Sequence, residues 1–151
     1  MKRSNATSYD GLTLLGNSVA SLPDSPDQAQ LEIFPNPRPG RPYRIRIDCP
    51  DFTSLCPVTG QPDFAEVFLE YIPGAKCIET KSLKLYFASF RNMRAFNEDV
   101  INRMLDTLVT ACRPQYMRLE GRFAPRGGLA LTVVAEHPSP KPSTRRRATA
   151  E

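Results

Sequence analysis

The stretch EVFLEYI, residues 66–72, indicates most directly how this chain folds. Val67, Leu69 and Tyr71 share one face, and the other face carries two glutamates, a phenylalanine and an isoleucine. This period-two pattern is typical of a strand in a sheet with one fully buried face. Pro73 and Gly74 follow and end the strand. The sequence therefore predicts a sheet as the framework of the fold.

One earlier segment and two later ones predict three more strands. Tyr43, Ile45 and Ile47 alternate with charged residues, and TSLCPVTGQPDF, residues 53–64, forms the loop to the next strand. Further along, YMRLEGRF and LALTVVAE are two strands joined by the turn APRGG. Because the first two strands are consecutive, we expect them to pair as neighbours.

Two helices are predicted between these pairs of strands. In CIETKSLKLYFASFRN, residues 77–92, apolar side chains also fit a strand, but Leu85 and Ala88 favour a helix. In the next helix Asn97 is a good N-cap and two acidic residues occupy the first turn. Its buried stripe follows a 3.6-residue period and comprises Val100, Ile101, Met104, Leu105, Leu108 and Val109.

This order of elements predicts an α+β fold, with a four-stranded antiparallel sheet and both helices on one of its faces. Residues 31–137 form the single domain. Residues 1–30 and the basic tail, residues 138–151, are expected to be mobile because neither has an apolar face to bury. Both edges of the small sheet are open, and we expect a homo-oligomer that closes them into a ring.

Composition excludes several classes of function. The net charge of +4 resides largely in the tail, so it is not a nucleic-acid footprint, and the arginines at 145–147 are expected to be solvated. No apolar run is long enough for a membrane span or a signal peptide, so a cytoplasmic protein is expected. The four cysteines form no CxxC pair and His137 is the only histidine, which argues against a zinc site and against a Cys-His catalytic pair.

Taken singly, each polar candidate has an ordinary alternative. Cys56 is either a nucleophile in a loop or a small buried hydrophobe, and Asp63 is either a proton donor or a turn residue. Lys81 and Lys84 lie on one helical face and either bind phosphate or face solvent. Arg126 is either an anion clamp or part of a plain hairpin. The other cysteines, Cys49, Cys77 and Cys112, are expected in or near the core.

Taken together, four motifs resemble one family. FTSLCPVTGQPDF, ETKSLKLYFASFRN, FNED and PRGG occur in the order and spacing of the short-form NADPH-dependent 7-cyano-7-deazaguanine reductases of queuosine biosynthesis. The resemblance covers about residues 43–130. It implies the tunnelling fold, two strands, two helices and two strands, whose units assemble into oligomeric barrels with active sites at subunit interfaces.

The resemblance also implies roles in catalysis. Cys56 matches the nucleophile that attacks the nitrile carbon to form a thioimidate, and Asp63 matches the acid that protonates the nitrile nitrogen. Two NADPH molecules then reduce the thioimidate to a primary amine, with no metal. Glu98 matches the carboxylate that accepts hydrogen bonds from the 7-deazapurine, and Phe96 beside it either packs on the ring or belongs to the core. Asn97 replaces the family's histidine; it can form hydrogen bonds but cannot titrate.

The same resemblance assigns the cofactor. Lys81, Lys84 and Arg126 are implied to hold the NADPH phosphates, and Glu79 and Ser82 to shape the same turn. The partners are then a small 7-deazapurine and further copies of the chain, without membrane or direct tRNA contact. Two alternatives remain: a relative that amidates the same nitrile on tRNA, and a non-catalytic module that binds a purine or pterin. Residues 79–86 argue against the first alternative, and the Cys56 and Asp63 pair argues against the second.

Overall fold

A computed structural model describes residues 9, 11–15 and 21–139 of the chain. Within them, two long pairs of strands flank two helices. No helix in these ranges is both long enough and apolar enough to cross a membrane. The elements are β1 (Ile33–Pro35), β2 (Ile45–Leu55), β3 (Pro62–Ile72), β4 (Lys76–Ile78), α1 (Thr80–Ala88), a 3-10 turn (Ser89–Asn92), α2 (Asn97–Cys112), β5 (Tyr116–Arg126) and β6 (Leu129–His137).

The main sheet is antiparallel and has the strand order β2-β3-β5-β6. Its inner face carries Val67, Leu69 and Tyr71 of β3, and all three are at most 1% exposed. Both helices pack on this face, so the predicted α+β architecture is confirmed. Helices on one side explain why β3 alternates so regularly, since only one face of the strand must be apolar.

The loop predicted over residues 53–64 is too long, because β2 and β3 continue into it. The β2–β3 ladder runs to the pair Leu55–Pro62, which leaves only residues 56–61 as the connection. The ladder shifts register between Cys49 and Phe52, the signature of a β-bulge. The bulge changes which side chains face inward, so the alternation seen up to Ile47 does not predict the second half of the strand.

The second helix buries the predicted stripe, except that Val109 is half-buried. The prediction that Asn97 caps it is wrong: Phe96 is the N-cap, without a side-chain hydrogen bond, and Asn97 is the first helical residue. The helix lies very close to β5, because a Cβ at Gly121 would be 2.5 Å from Cδ1 of Ile101. This close approach fixes where the start of α2 lies above the sheet.

A two-stranded sheet of β1 and β4, which the sequence did not indicate, joins the first residues of the predicted domain to the strand just before α1. The described N-terminal residues also lie against the domain: Pro26 is buried, and Asp24 and Asp27 form ion pairs with Arg91 and Arg103. The division of the chain into a mobile start, a domain and a mobile tail stays a prediction. Residues 140–151 lie outside the described residues.

Candidate active site

Cys56 begins the tight turn that joins β2 to β3. Its N–H donates to the carbonyl oxygen of Gln61 at 2.8 Å, and its own carbonyl oxygen accepts from the N–H of Gly60 at 3.0 Å. Gly60 adopts φ +70°, a conformation in which other residues are strained. The turn therefore fixes the backbone of Cys56 while its side chain stays partly exposed.

The environment of this thiol favours its reactive form. A hydrogen bond from the Thr59 side chain, aided by the backbone of Thr59 and Val58 and by the charge of Arg126, lowers the pKa of Cys56 to about 7. Burial has the opposite effect on Cys49, whose pKa is raised. Since the thiolate is the nucleophilic species, Cys56 is the more reactive of these two partly exposed cysteines near neutral pH.

Asp63 lies one residue into β3 and is only 7% exposed. Its Oδ1 forms an ion pair with the Arg126 guanidinium at 2.9 Å. The same guanidinium donates to the carbonyl oxygen of Pro62 at 2.6 Å, so it also holds the end of the turn. Arg126 thus links the carboxylate to the Cys56 turn, and a single charged group serves both candidate catalytic residues.

A short backbone bridge brings the start of α2 to the same place. The N–H of Leu55 donates to the carbonyl oxygen of Met93 at 2.9 Å, and the N–H of Ala95 donates to the carbonyl oxygen of Leu55 at 3.1 Å. The three predicted substrate-binding residues come immediately after Ala95. The structure therefore places Phe96, Asn97 and Glu98 beside the residue that precedes Cys56.

These three side chains differ in solvent exposure and in hydrogen bonding. Phe96 is 63% exposed, which leaves its ring available to a ligand. Glu98 is exposed, and its carboxylate has no hydrogen-bond partner within the described ranges. The side-chain oxygen of Asn97 is buried and likewise unpaired within them. Buried polar atoms rarely lack a partner, and a bound heterocycle with N–H groups would supply one.

Two residues of this region were missed at the sequence level. The Arg94 guanidinium lies flat against Gly60: a Cβ on that glycine would be 2.8 Å from Arg94 NH2. Thr59 lies in the quoted loop, but its hydrogen bond to Cys56 depends on the turn geometry. Arg94 is distant in sequence, and only the bridge to Leu55 brings it to the turn.

At the start of α1, in contrast to the region of the Cys56 turn, the buried polar side chains are hydrogen-bonded within the chain. The carboxylate of Glu79 is 4% exposed and accepts from the N–H groups of Lys81 and Ser82, both at 2.7 Å, so Glu79 is the N-cap of the helix. The Ser82 hydroxyl is fully buried, donates to the carbonyl oxygen of Glu79 and accepts from the N–H of Glu32. These two residues therefore shape the turn, as predicted.

The N-terminal segment is attached at the same point. The Glu32 carboxylate accepts from the N–H groups of Thr13 and Leu14, and the Lys81 ammonium donates to the carbonyl oxygen of Leu14 at 2.6 Å. Burial alone would raise the pKa of Glu32, but hydrogen bonds from Thr13 and Leu14 and the charge of Lys81 outweigh it and lower the pKa. Lys81 is thus part of a structural cluster in this state of the chain.

Lys84 lies on a groove of about 500 Å³ between α1 and β2. Its walls are largely apolar, with Leu83 and Phe87 on one side and the bulge of β2 on the other, and Arg91 adds a second cation. Arg126 does not line this groove. Within one chain, the three cations predicted for the cofactor are therefore divided between the groove, the N-terminal attachment and the Cys56 turn.

Comparison with known proteins adds independent evidence. The family model described as QueF-like protein matches residues 62–142. Several curated NADPH-dependent 7-cyano-7-deazaguanine reductases are similar to the chain. That of Thiobacillus denitrificans is 56% identical over 77% of this chain and 83% of its own. Those of Thioalkalivibrio sulfidiphilus and Anaeromyxobacter sp. are 58% and 51% identical, over 73% and 77% of this chain and 85% and 94% of their own.

One solved structure is similar as well. The crystal structure of the archaeosine synthase QueF-Like in the apo form superposes with a TM-score of 0.59 and 26% sequence identity. The similarity covers 64% of this chain and 94% of that one. The shared part accounts for 94% of that chain, so the sheet with its two helices is a fold common to both.

Proposed function

The chain belongs to the QueF family of NADPH-dependent 7-cyano-7-deazaguanine reductases, and we propose that it reduces the nitrile of 7-cyano-7-deazaguanine through Cys56 and Asp63. This reaction belongs to queuosine biosynthesis. We place it in the cytoplasm, since an exposed thiol of lowered pKa survives best in a reducing compartment. The free state of the four cysteines agrees with that location.

The first step is the addition of the Cys56 thiolate to the nitrile carbon. The S–C bond forms as one C–N π bond breaks, and its electron pair moves to the nitrogen. Asp63 passes to that nitrogen the proton that the Cys56 thiol gives up, which gives a neutral thioimidate and leaves the Asp63 carboxylate paired with Arg126. A pKa of about 7 keeps a substantial thiolate fraction at neutral pH without making the sulfur a poor nucleophile.

Arg126 stabilises the state that follows proton transfer. Its guanidinium lies 2.9 Å from Asp63 Oδ1 and meets the newly formed carboxylate without further movement. Such preorganised charge lowers the barrier because no solvent must reorganise during the step. Arg126 thus acts on both reactants, since its charge also favours the thiolate of Cys56.

Phe96, Asn97 and Glu98 bind the heterocycle in this proposal. Glu98 accepts from two parallel N–H donors of the guanine-like edge, a pattern that an adenine-like edge does not offer. Phe96 supplies a surface for stacking, and the buried oxygen of Asn97 gains the partner that it lacks among the described residues. The order of these residues along the start of α2 brings all three within reach of one small ring.

The groove between α1 and β2 has the chemistry to hold NADPH. Lys84 and Arg91 on the helical side offer cations to phosphates, Asp48 and Asp51 lie on the β2 side, and the apolar walls suit the flat rings of a dinucleotide. When bound, NADPH supplies the hydrides that reduce the thioimidate to the amine. Lys81 would join from its place beside the groove, and Arg126 from the Cys56 turn.

We propose that a neighbouring subunit completes the site. Large apolar side chains are exposed at this end of the sheet, with exposed fractions of 76% for Val58, 61% for Phe64, 63% for Phe96 and 79% for Leu129. A cluster of this kind on a small domain marks a surface that is covered in the assembly. Both edge strands, β2 and β6, are open to pair with further copies.

The lowered pKa of Cys56, in a turn that Arg126 joins to Asp63, is the observation that carries this proposal. The purified protein is mixed with 7-cyano-7-deazaguanine and NADPH. Oxidation of NADPH is followed as the loss of the near-ultraviolet absorbance that the reduced cofactor has and the oxidised cofactor lacks. Consumption of about two NADPH per nitrile, the four-electron stoichiometry of nitrile to amine, is expected. Size-exclusion chromatography with light scattering tests the assembly, and a monomer with full activity would refute the shared site.

The structural likeness to an archaeosine synthase favours one alternative, nitrile chemistry that ends in amidation. It would use the same Cys56 adduct but no reductant. The assay separates the two outcomes. Formation of an adduct with no NADPH oxidation, followed by product release on addition of ammonia, would replace the reductase proposal with this one.

A further inference from the structure

Ser54 is a buried residue whose hydroxyl forms no hydrogen bond within the described part of the chain. Its side chain is 0% exposed, and its Oγ has no hydrogen-bond partner among the residues that the structure describes. The other two fully buried serines differ in this respect: the Ser82 hydroxyl donates to Glu79 and the Ser89 hydroxyl donates to Tyr86. A buried hydroxyl without a hydrogen bond lowers the stability of the fold, because it loses its contact with water and gains no partner. The presence of serine at this position therefore needs an explanation other than stability.

Ser54 lies directly opposite Asp63 in the β2–β3 ladder. Both side chains face the helix-covered side of the sheet, since both are buried and the next inward pair along the ladder is Phe52 with Ala65. Cross-strand partners have Cβ atoms about 5 Å apart, so a serine hydroxyl reaches a facing carboxylate by rotation about one bond. Arg126 holds Oδ1 of Asp63, and Oδ2 remains for Ser54.

We propose that Ser54 is a positioning residue for Asp63 in the reduction of the nitrile, an inference that rests on the proposed function. As the sulfur of Cys56 bonds to the nitrile carbon, the proton that Asp63 takes from the thiol passes to the nitrogen. The carboxylate so formed then accepts the O–H of Ser54 on one oxygen and the N–H of Arg126 on the other. Ser54 gains or loses no atom; it acts by stabilising and orienting the carboxylate.

The geometry explains why a hydroxyl suits this place better than a charged group. A second cation beside Asp63 would oppose the transient protonation of the carboxylate that the proton transfer requires. A neutral hydroxyl can accept from the protonated acid and donate to the carboxylate, so it serves both states. An apolar residue would pack equally well at this position but would serve neither.

The test is the rate of adduct formation on Cys56 in the absence of NADPH. The full chain is mixed with increasing 7-cyano-7-deazaguanine, quenched, and analysed by intact mass. Ser54→Ala is expected to lower the limiting rate about ten- to a hundredfold, the effect of a lost hydrogen bond to a charged group, while the half-saturating concentration stays within about twofold. Ser89→Ala is the matched control, expected to lower the melting temperature and leave the limiting rate unchanged.

A double-mutant cycle with Asp63→Asn decides whether Ser54 acts through Asp63. In that background Ser54→Ala is expected to change the rate by no more than about twofold. An equal loss of rate in both backgrounds, or a loss confined to the melting temperature, would overturn the inference while the proposed function stands. If the unmodified chain forms no adduct at all, the proposed function fails first and the inference falls with it.

Discussion

Polar side chains gather both at the start of α1 and around the turn at residues 56–61, but the two regions differ in whether buried polar atoms have hydrogen-bond partners. At the start of α1, Glu79, Ser82 and Lys81 all bond within the chain. Around the turn, polar atoms of Ser54 and Asn97 are buried without a partner within the described ranges. The first region satisfies its polar groups within the fold, whereas in the functions proposed above Ser54 pairs with Asp63 and Asn97 pairs with the substrate.

This difference separates residues that look alike in sequence. Glu79 and Glu98 each lie at the start of a helix, in motifs that both belong to the family resemblance. Glu79 is buried and caps its helix, whereas Glu98 is exposed and its carboxylate bonds to nothing in the described part of the chain. Only the environment of each carboxylate shows which one supports the fold and which one is available to a substrate.

The largest expected loss of activity follows substitution of Cys56, at the start of the turn between β2 and β3. Cys56→Ala should abolish the covalent adduct and lower NADPH oxidation by at least about a thousandfold, because no other group replaces the nucleophile. Intact mass and the absorbance assay measure the two effects. Cys49→Ala is the matched control, since Cys49 is partly exposed but has a raised pKa. Retention of the adduct in Cys56→Ala would assign the chemistry to another cysteine.

Glu98→Gln should weaken substrate binding without weakening the fold. The amide keeps one acceptor but loses the charge that meets two N–H donors, so we expect the KM for the nitrile substrate to rise about ten- to a hundredfold. The melting temperature should stay within about one degree, because the side chain is exposed. Steady-state kinetics and thermal unfolding measure both. An unchanged KM would remove Glu98 from the site.

Glu79→Gln should destabilise the fold and leave substrate binding unchanged, the reverse of Glu98→Gln. It tests whether the start of α1 has a structural role. Two backbone N–H groups now share one acceptor, so we expect a loss of about 1–2 kcal/mol in the free energy of unfolding. The KM for the nitrile substrate should not change. Denaturant unfolding provides the measurement. A stable variant with altered substrate affinity would show that the two regions are not separate.

Thr59→Val should alter the acidity of the thiol by a smaller amount. The Thr59 side chain is the main cause of the lowered pKa of Cys56, so its removal raises the pKa and moves the midpoint of thiolate formation above pH 7. Alkylation of Cys56 by iodoacetamide at a series of pH values, read by mass spectrometry, locates the midpoint. Thr59→Ser keeps the hydroxyl and should keep the midpoint. Identical midpoints in all three proteins would contradict this account.

The smallest expected effect is on the pH dependence of stability. It comes from Glu32, whose carboxylate holds Thr13 and Leu14 of the N-terminal segment against the domain. Its pKa is lowered in the fold, so its stabilising contribution is present above the unfolded-state pKa of about 4.3 and disappears as the pH falls through the folded-state value. The difference in melting temperature between the unmodified chain and Glu32→Gln should therefore shrink between about pH 5 and 3. A constant difference over that interval would mean that the charge of Glu32 contributes nothing.

Local patterns predicted most of the fold. The alternation in β3 and the 3.6-residue stripe in α2 depend only on which face is buried, and both appear where expected. Asn97 shows the limit of such patterns: it has the right residue type for an N-cap, but the bridge at Leu55 sets the chain direction and makes Phe96 the cap. The β1–β4 sheet was missed because three-residue strands have no measurable period.

The site was predicted as a set of residues, but not as an arrangement. The motifs named Cys56, Asp63 and Glu98, whereas their proximity depends on a ladder register and on a bridge between segments some forty residues apart. Ser54 and Thr59 lie inside a quoted motif that gives no sign of their contacts, and Arg94 lies between two motifs. The contribution of each follows from direct contact in three dimensions, which a single sequence does not encode in any local pattern.

The bulge in β2 has a consequence for how this chain tolerates length changes. Before the bulge the inward-facing positions of β2 are odd-numbered, as at Ile45 and Ile47, and after it they are even-numbered, as at Phe52 and Ser54. Deleting one residue at positions 50–51 would remove the extra residue of the bulge, so that regular alternation would run from Cys49 to Phe52 and Ser54 with all three still facing the helices. At the bulge, β2 can therefore lose one residue without exchanging its two faces, whereas a change of one residue within a regular part of the strand would turn over the side chains that follow.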